Sequence, residues 1–453
     1  MLMSTPALDG YTSHLSLWRR VRDYAVPPEM IETATARRLV GDWAGACSAS
    51  RVDVEFRLRD VARAHGRDLT HRVRDDLRRL APDLLRWHLP RTAPDGLLRA
   101  GLTVPLVRYP GERPLTLVVR TPPAWAEFGQ RISLALWGGS PSGAPPLPHP
   151  LPHPHPHPSR RFRLDLHRHL WDAGRSGELA LRAGRGDPAA DSDPVNLRPA
   201  VDRWAAEASL LLRAEGRPAG PVVVRLGGHR RLLIDPGGDA EPVEATGDVK
   251  ALPLLPEAAT WVPPDLDLLR CGVLGPDLLH PLVAAALAPS EHPSAGPVGP
   301  VGPVGPQLPP THRLVDCRGA VHRIAVVDGA LTPLDHDPVQ LRRERLLSAL
   351  SGTPLPCLRA VEQAHRRPSE LTDIRERLRH GDHAGALVQV EALLGARARL
   401  PEGPLRAELD AIANRRVTYG LYRSGLVAPG CPGFPFRRRP TGHRSHPRET
   451  TGR

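Results

Sequence analysis

Two stretches of this chain cannot enter a hydrophobic core, and they limit how the remainder can fold. Residues 138–159 read GGSPSGAPPLPHPLPHPHPHPS and residues 291–310 read EHPSAGPVGPVGPVGPQLPP. Proline removes a backbone donor and fixes an extended φ, so both stretches read as semi-rigid spacers. The GPV triplets are too few for a collagen helix, which needs long runs and three chains. At 453 residues the chain also exceeds the length at which single cores stop growing. The expectation is an α+β protein of two or three small mixed modules, with helices on short antiparallel sheets or hairpins, joined by Pro-rich linkers. The boundaries read as a module over 1–137, a Pro/His-rich linker over 138–159, a second α+β module over 160–290 and a GPV-repeat linker over 291–310. A β-meander plus helical module follows over 311–424, then a basic, disordered tail over 425–453.

Within these limits the periodicities predict individual elements. Met30 to Ala46 reads as a helix that pauses at Gly41-Asp42. Leu69, Val73, Leu77 and Leu80 recur at helical spacing ahead of Pro82. Leu102–Tyr109, Leu115–Thr121 and Arg131–Trp137 are short, β-rich and separated by Pro or Gly, which predicts a small antiparallel sheet covered by helices on one face. Helices over Val201–Glu215 and near Asp277–Leu287 flank a hairpin over Val222–Ile234. The run HRLVDCRGAVHRIAVVDGALTPL predicts a three-stranded meander turning at Arg318-Gly319 and Asp328-Gly329, with helices from Pro338 to Ile412. Arg38-Leu39-Val40-Gly41-Asp42-Trp43-Ala44-Gly45-Ala46 is echoed by Arg377-Leu378-Arg379-His380-Gly381-Asp382-His383-Ala384-Gly385-Ala386. In both, Gly can close one helix and Asp can cap the next.

Residue usage excludes several chemistries. Lys250 is the one lysine, and it lies outside any GxxxxGK[ST], so a P-loop, a kinase-type lysine and a Ser-x-x-Lys nucleophile are unsupported. The chain contains no HExxH, GxSxG or CxxC, and no GxGxxG placed between a strand and a helix. No catalytic residue and no cofactor are expected. The five cysteines are odd in number and scattered, which fits reduced thiols better than a disulfide framework. The N-terminus lacks a signal-like apolar core and no apolar run is long enough to span a bilayer, so a bacterial cytoplasmic location without membrane contact is expected.

Histidine offers candidate ligands. His153, His155 and His157 alternate with proline and could catch a transition metal, although such a tract lacks partners that orient its rings. Asp165, His167 and His169 would share one face of a strand, with Phe162, Leu164, Leu166 and Leu170 opposite. Cys317 and His322 straddle a tight turn and could face each other, but spacing alone assigns no third group. Asp335-His336-Asp337 could supply a base or ligand, with an N-cap by Asp337 as the simpler reading.

Net charge is +12, and its excess is concentrated at the end of the chain: from Arg415 onward nine arginines face the single acid Glu449. There Arg415, Arg416, Arg423 and Arg437-Arg438-Arg439 interleave with Tyr419, Tyr422, Phe434 and Phe436, the combination that neutralises phosphates while rings stack on bases. The first functional expectation is a non-catalytic adaptor or regulatory protein that binds protein partners through modules on spacers. The alternatives are a nucleic-acid-associated protein acting through this tail and a metal-dependent hydrolase using the histidine-rich sites.

Overall fold

The computed structural model describes residues 6–138, 153–184, 198–289, 312–359, 369–394 and 404–426, apart from 154, 228–229, 238–241, 246, 248, 318–319, 328–329 and 352–354. The protein is α+β, as composition and periodicity predict. It divides into two compact units: Met1–His292 together with Arg379–Asp382 and Arg399–Arg453, and Pro293–Leu378 together with His383–Ala398.

The first unit is organised on a four-stranded sheet in the order Val52–Val54, Ile132–Gly138, Leu115–Arg120, Thr103–Tyr109. The three long strands pair antiparallel, as their alternation predicts. Val52–Val54 adds in parallel against Ile132–Leu134 and is too short to announce itself in the sequence. Every residue of Leu115–Arg120 is buried, which places cover on both faces of the sheet. Helix Arg67–Arg79 turns Leu69, Val73 and Leu77 inward, and Pro82 opens the next helix, where a missing N–H costs nothing. The expected Asp277–Leu287 helix is broken by His280-Pro281. A 3-10 turn over Pro276–Leu278 is followed by a helix over Pro281–Leu287, where His280 Nδ1 accepts the Leu282 N–H at 3.2 Å.

One core runs from Leu15 through the sheet to Phe162, Leu164, Leu170 and Trp171, and on to Leu268 and Val283. The boundary expected at 138–159 therefore does not separate two cores. The chain re-enters the first core because the Thr103 edge holds it: Ser159 N–H donates to the Thr103 carbonyl at 2.8 Å, and Thr103 Oγ1 donates to the His155 carbonyl at 2.6 Å. A smaller cluster packs Trp204, Ala208 and Leu211 of helix Val201–Ala214 on Val222, Val224 and Ile234 of the expected hairpin. The strand expected over Phe162–Leu170 is absent. Successive i to i+3 bonds curl it, Leu166 N–H to Arg163 and His167 N–H to Leu164, because Arg163 chelates Asp165 through two bonds of 2.9 and 3.0 Å.

Both halves of the sequence echo are helix–turn–helix. Gly41 and Gly381 take φ of +77° and +81°, and Asp42 caps its helix through the Gly45 N–H at 2.8 Å. In the first unit the second turn packs close: a Cβ on Gly381 would overlap the Gly129 carbonyl, and Arg51 donates to the His380 carbonyl at 2.8 Å.

The second unit contains the expected meander, His312–Cys317, Ala320–Val327 and Ala330–Pro333, followed by helix Pro338–Ser351 and a helical turn over 356–359. The long helical reading from Pro338 to Ile412 resolves into this helix, Ser369–Arg379, His383–Leu394 and Pro404–Arg423, the last ranging within the first unit. No helix among the described residues is long and apolar enough to cross a membrane.

Candidate metal centre

The meander register determines what faces its covered side. Val315 pairs with His322 and Cys317 with Ala320, so Cys317, Val315, His322 and Ile324 share one face. On that face Cys317 and Ile324 pack with Leu341, Leu355, Cys357 and Leu358. The third strand ends at Pro333, and its exit is pinned from two directions. Leu334 N–H donates to the Arg323 carbonyl at 2.8 Å, and the Asp335 carboxylate takes the Arg323 N–H at 2.7 Å and its guanidinium at 2.6 Å. Arg323 accordingly holds Asp335 at about 2, below the usual carboxylate range. Asp337 Oδ1 accepts the Val339 N–H at 3.1 Å and starts the next helix, as an N-cap should. Between these two fixed aspartates, His336 is carried over the sheet edge to His322.

The result is a cluster of four donors from four segments. Cys317, His322, His336 and Cys357 each offer one ligand atom, and all four atoms lie within 4.8 Å of one another. The imidazoles meet edge to face with centroids 4.2 Å apart, and His322 Nδ1 is 2.6 Å from His336 Nε2. Cys317 and Cys357 are buried at 1% and 0% exposure, while both histidines are half-buried. Burial pushes the Cys357 thiol up to about 12, and the adjacent Cys317 and Asp335 add to it, so a cation is what would ionise it here.

Two thiols and two imidazoles are the donor set of tetrahedral zinc. Bonds of about 2.3 Å to sulfur and about 2.0–2.1 Å to nitrogen give a tetrahedron with edges of roughly 3.3–3.8 Å. The four atoms lie within 4.8 Å of one another, so side-chain shifts of about 1 Å bring them to these edges, the ring nitrogens parting from 2.6 Å by about 0.7 Å. With four protein ligands the sphere is closed, leaving no position for a reacting water.

The histidines expected as ligands in the Pro/His tract are placed differently. His153 is buried, with Nε2 3.0 Å from the Thr121 carbonyl and Nδ1 3.2 Å from the His155 N–H, an arrangement that one neutral tautomer satisfies. His157 lies edge-on to Trp137, and His155 is exposed. Asp165, His167 and His169 do not form the expected face: Asp165 binds Arg163 and Arg108, and His167 faces Glu207 at 3.3 Å.

The aromatic and basic residues offered to nucleic acid divide three ways. Tyr419 and Tyr422 are buried, Tyr419 donating to Asp53 Oδ2 at 2.5 Å and Tyr422 packing edge-on against Trp125 at 5.3 Å, and Arg423 pairs with Asp53 at 3.0 Å. Arg415 and Arg416 are exposed on helix Pro404–Arg423. Phe434, Phe436, Arg437, Arg438 and Arg439 lie outside the described residues.

Of the four cluster residues, the turn spacing exposed Cys317 and His322, and the Asp-His-Asp triplet exposed His336. Cys357 carried no local signal, since it returns to the site only after the intervening helix. A scan against protein-family models matches no family, and searches of curated proteins and of solved structures find no similar protein.

Proposed function

We propose that this chain is a non-catalytic binding protein whose second unit is folded around one structural zinc ion held by Cys317, His322, His336 and Cys357. The observation that carries this reading is the closed set of four donors within 4.8 Å, contributed by four separate segments of the second unit. A hydrolytic zinc keeps a coordination position open for water, so a filled sphere favours a structural role over a metal-dependent hydrolase. The module has a small core, centred on Ile324, Leu341, Leu355 and Leu358, and an ion tying the meander to the helical turn would supply stability that such a core lacks.

An adaptor role agrees with the apolar side chains that the second unit exposes. Helix Pro338–Ser351 presents Val339, Leu346 and Leu347 to solvent, and Leu387 and Val388 are exposed on His383–Leu394. Apolar side chains of this kind suit a protein partner. The test is metal analysis of the purified full chain after exhaustive dialysis. One zinc per chain, lost in Cys317→Ser and in His336→Ala, supports the proposal; a metal-free chain that also refuses added zinc contradicts it.

A further inference from the structure

The zinc reading leaves open what would remove the ion, and the two sulfurs answer that. Cys317 and Cys357 are the two cysteines between residues 293 and 398, and their Sγ atoms lie within 4.8 Å of each other. They come from the end of a strand and from a helical turn 40 positions further on, so a bond between them would join two of the four segments that the ion joins. Zinc and a disulfide are therefore alternative links at one place. Both sulfurs are buried and both imidazoles are half-buried, which favours an oxidant close to water in size over a bulky one.

We infer that the centre is a peroxide-responsive thiol pair, in which oxidation of Cys317 and Cys357 to a disulfide expels the zinc. This inference rests on the metal reading above. In the first step one thiolate sulfur attacks an oxygen of hydrogen peroxide: an S–O bond forms, the O–O bond breaks, and the departing hydroxide takes a proton to become water. In the second step the other thiolate attacks the sulfenic sulfur: the S–S bond forms, the S–O bond breaks, and a second hydroxide takes a second proton. Two thiolates, one peroxide and two protons thus give one disulfide and two waters, with two electrons passing from sulfur to oxygen. The ion keeps only His322 and His336 and dissociates, since two imidazoles without thiolates are a weak zinc site. A thiol reductant reverses the change and restores both ligands.

The experiment uses the zinc-loaded full chain, with Cys271→Ser and Cys431→Ser introduced to remove competing thiols. Hydrogen peroxide is added stepwise, released zinc is read with a chromogenic chelator, and thiols are counted by alkylation and mass spectrometry. The expected result is stoichiometric zinc release in step with loss of two alkylatable thiols. It is accompanied by a Cys317–Cys357 cross-linked peptide, and dithiothreitol with added zinc reverses it. Retention of zinc with both thiols still alkylatable under excess peroxide overturns the inference while leaving the metal reading intact. A chain that takes up no zinc before peroxide is added defeats the metal reading, and the inference with it.

Discussion

His322 Nδ1 and His336 Nε2 approach to 2.6 Å although one lies on the second strand of the meander and the other on the exit from the third. A 2.6 Å approach is that of an N–H···N hydrogen bond; a zinc ion in place of that proton would part the two nitrogens to about 3.3 Å, with the buried sulfurs of Cys317 and Cys357 completing its set. Replacing His336 with alanine removes one ligand without touching the core side chains. Zinc affinity is expected to fall by at least about 100-fold. Circular dichroism melts with and without chelator should then coincide for the variant and differ for the unaltered chain.

Tyr419 and Asp53 form a second long-range pair, and Asp53 also accepts from Arg131 at 2.7 Å and forms an ion pair with Arg423 at 3.0 Å. Removing the hydroxyl by Tyr419→Phe should cost about 1–2 kcal/mol in chemical denaturation. Burial pushes the Asp53 carboxyl up, yet the hydrogen bonds from Arg131 and Tyr419 outweigh it and hold the group below its usual value. A carboxylate depressed in the folded state contributes stability that is present above its unfolded value of about 3.9 and is lost as pH falls through the folded value. The stability gap between the unaltered chain and Asp53→Asn should therefore be flat above about pH 5 and close below about pH 4.

Asp267 behaves in the opposite sense. It is buried on helix Pro264–Arg270, neither oxygen has a hydrogen-bond partner among the described residues, and Arg198 Nε stands off at 3.8 Å. Burial raises its carboxyl to about 6, with Arg198 and Arg270 offsetting only part. Between about pH 4 and this value the unfolded chain ionises while the folded chain stays protonated, so stability is lost as pH rises through that window. Asp267→Asn should abolish that slope and raise stability at pH 7 by about 1–3 kcal/mol, measured by urea titration across pH.

Arg22 and Asp265 form a buried pair with two bonds of 2.7 Å, and Arg22 also donates to the Trp87 carbonyl at 2.9 Å. The pair joins helix Pro6–Tyr24 to Pro264–Arg270 inside the first unit. Arg22→Leu strands the carboxylate in the core and should cost about 3–5 kcal/mol, while the double variant with Asp265→Leu should recover a large part of it. Equal melting temperatures for the single and double variants would sink this account of the pair.

How much of this was legible follows from how local each signal was. Leu69, Val73 and Leu77, or the alternation in Ile132–Leu136, report their own burial because period alone sets it. The three-residue strand Val52–Val54 is defined only by its parallel partner. The Pro/His tract reads as a spacer, yet its described end docks on Thr103 and Thr121, and Phe162 and Trp171 rejoin the first core, which composition does not encode. Cys317, His322 and His336 were each visible as reactive residues at turns. Their convergence depends on Asp335 locking the turn to Arg323 and on the length of helix Pro338–Ser351 returning Cys357, both of them tertiary facts. Tyr419 and Tyr422 read as base-stacking rings from their local sequence, and the partners that bury them, Asp53 and Trp125, lie far away in the chain.

The most direct test of the central claim is X-ray absorption at the zinc edge on the dialysed, zinc-loaded chain. The proposed centre predicts a four-coordinate first shell with two sulfurs at about 2.3 Å and two imidazole nitrogens at about 2.0–2.1 Å. A shell of oxygen and nitrogen alone, or one with coordinated water in an open position, would contradict it.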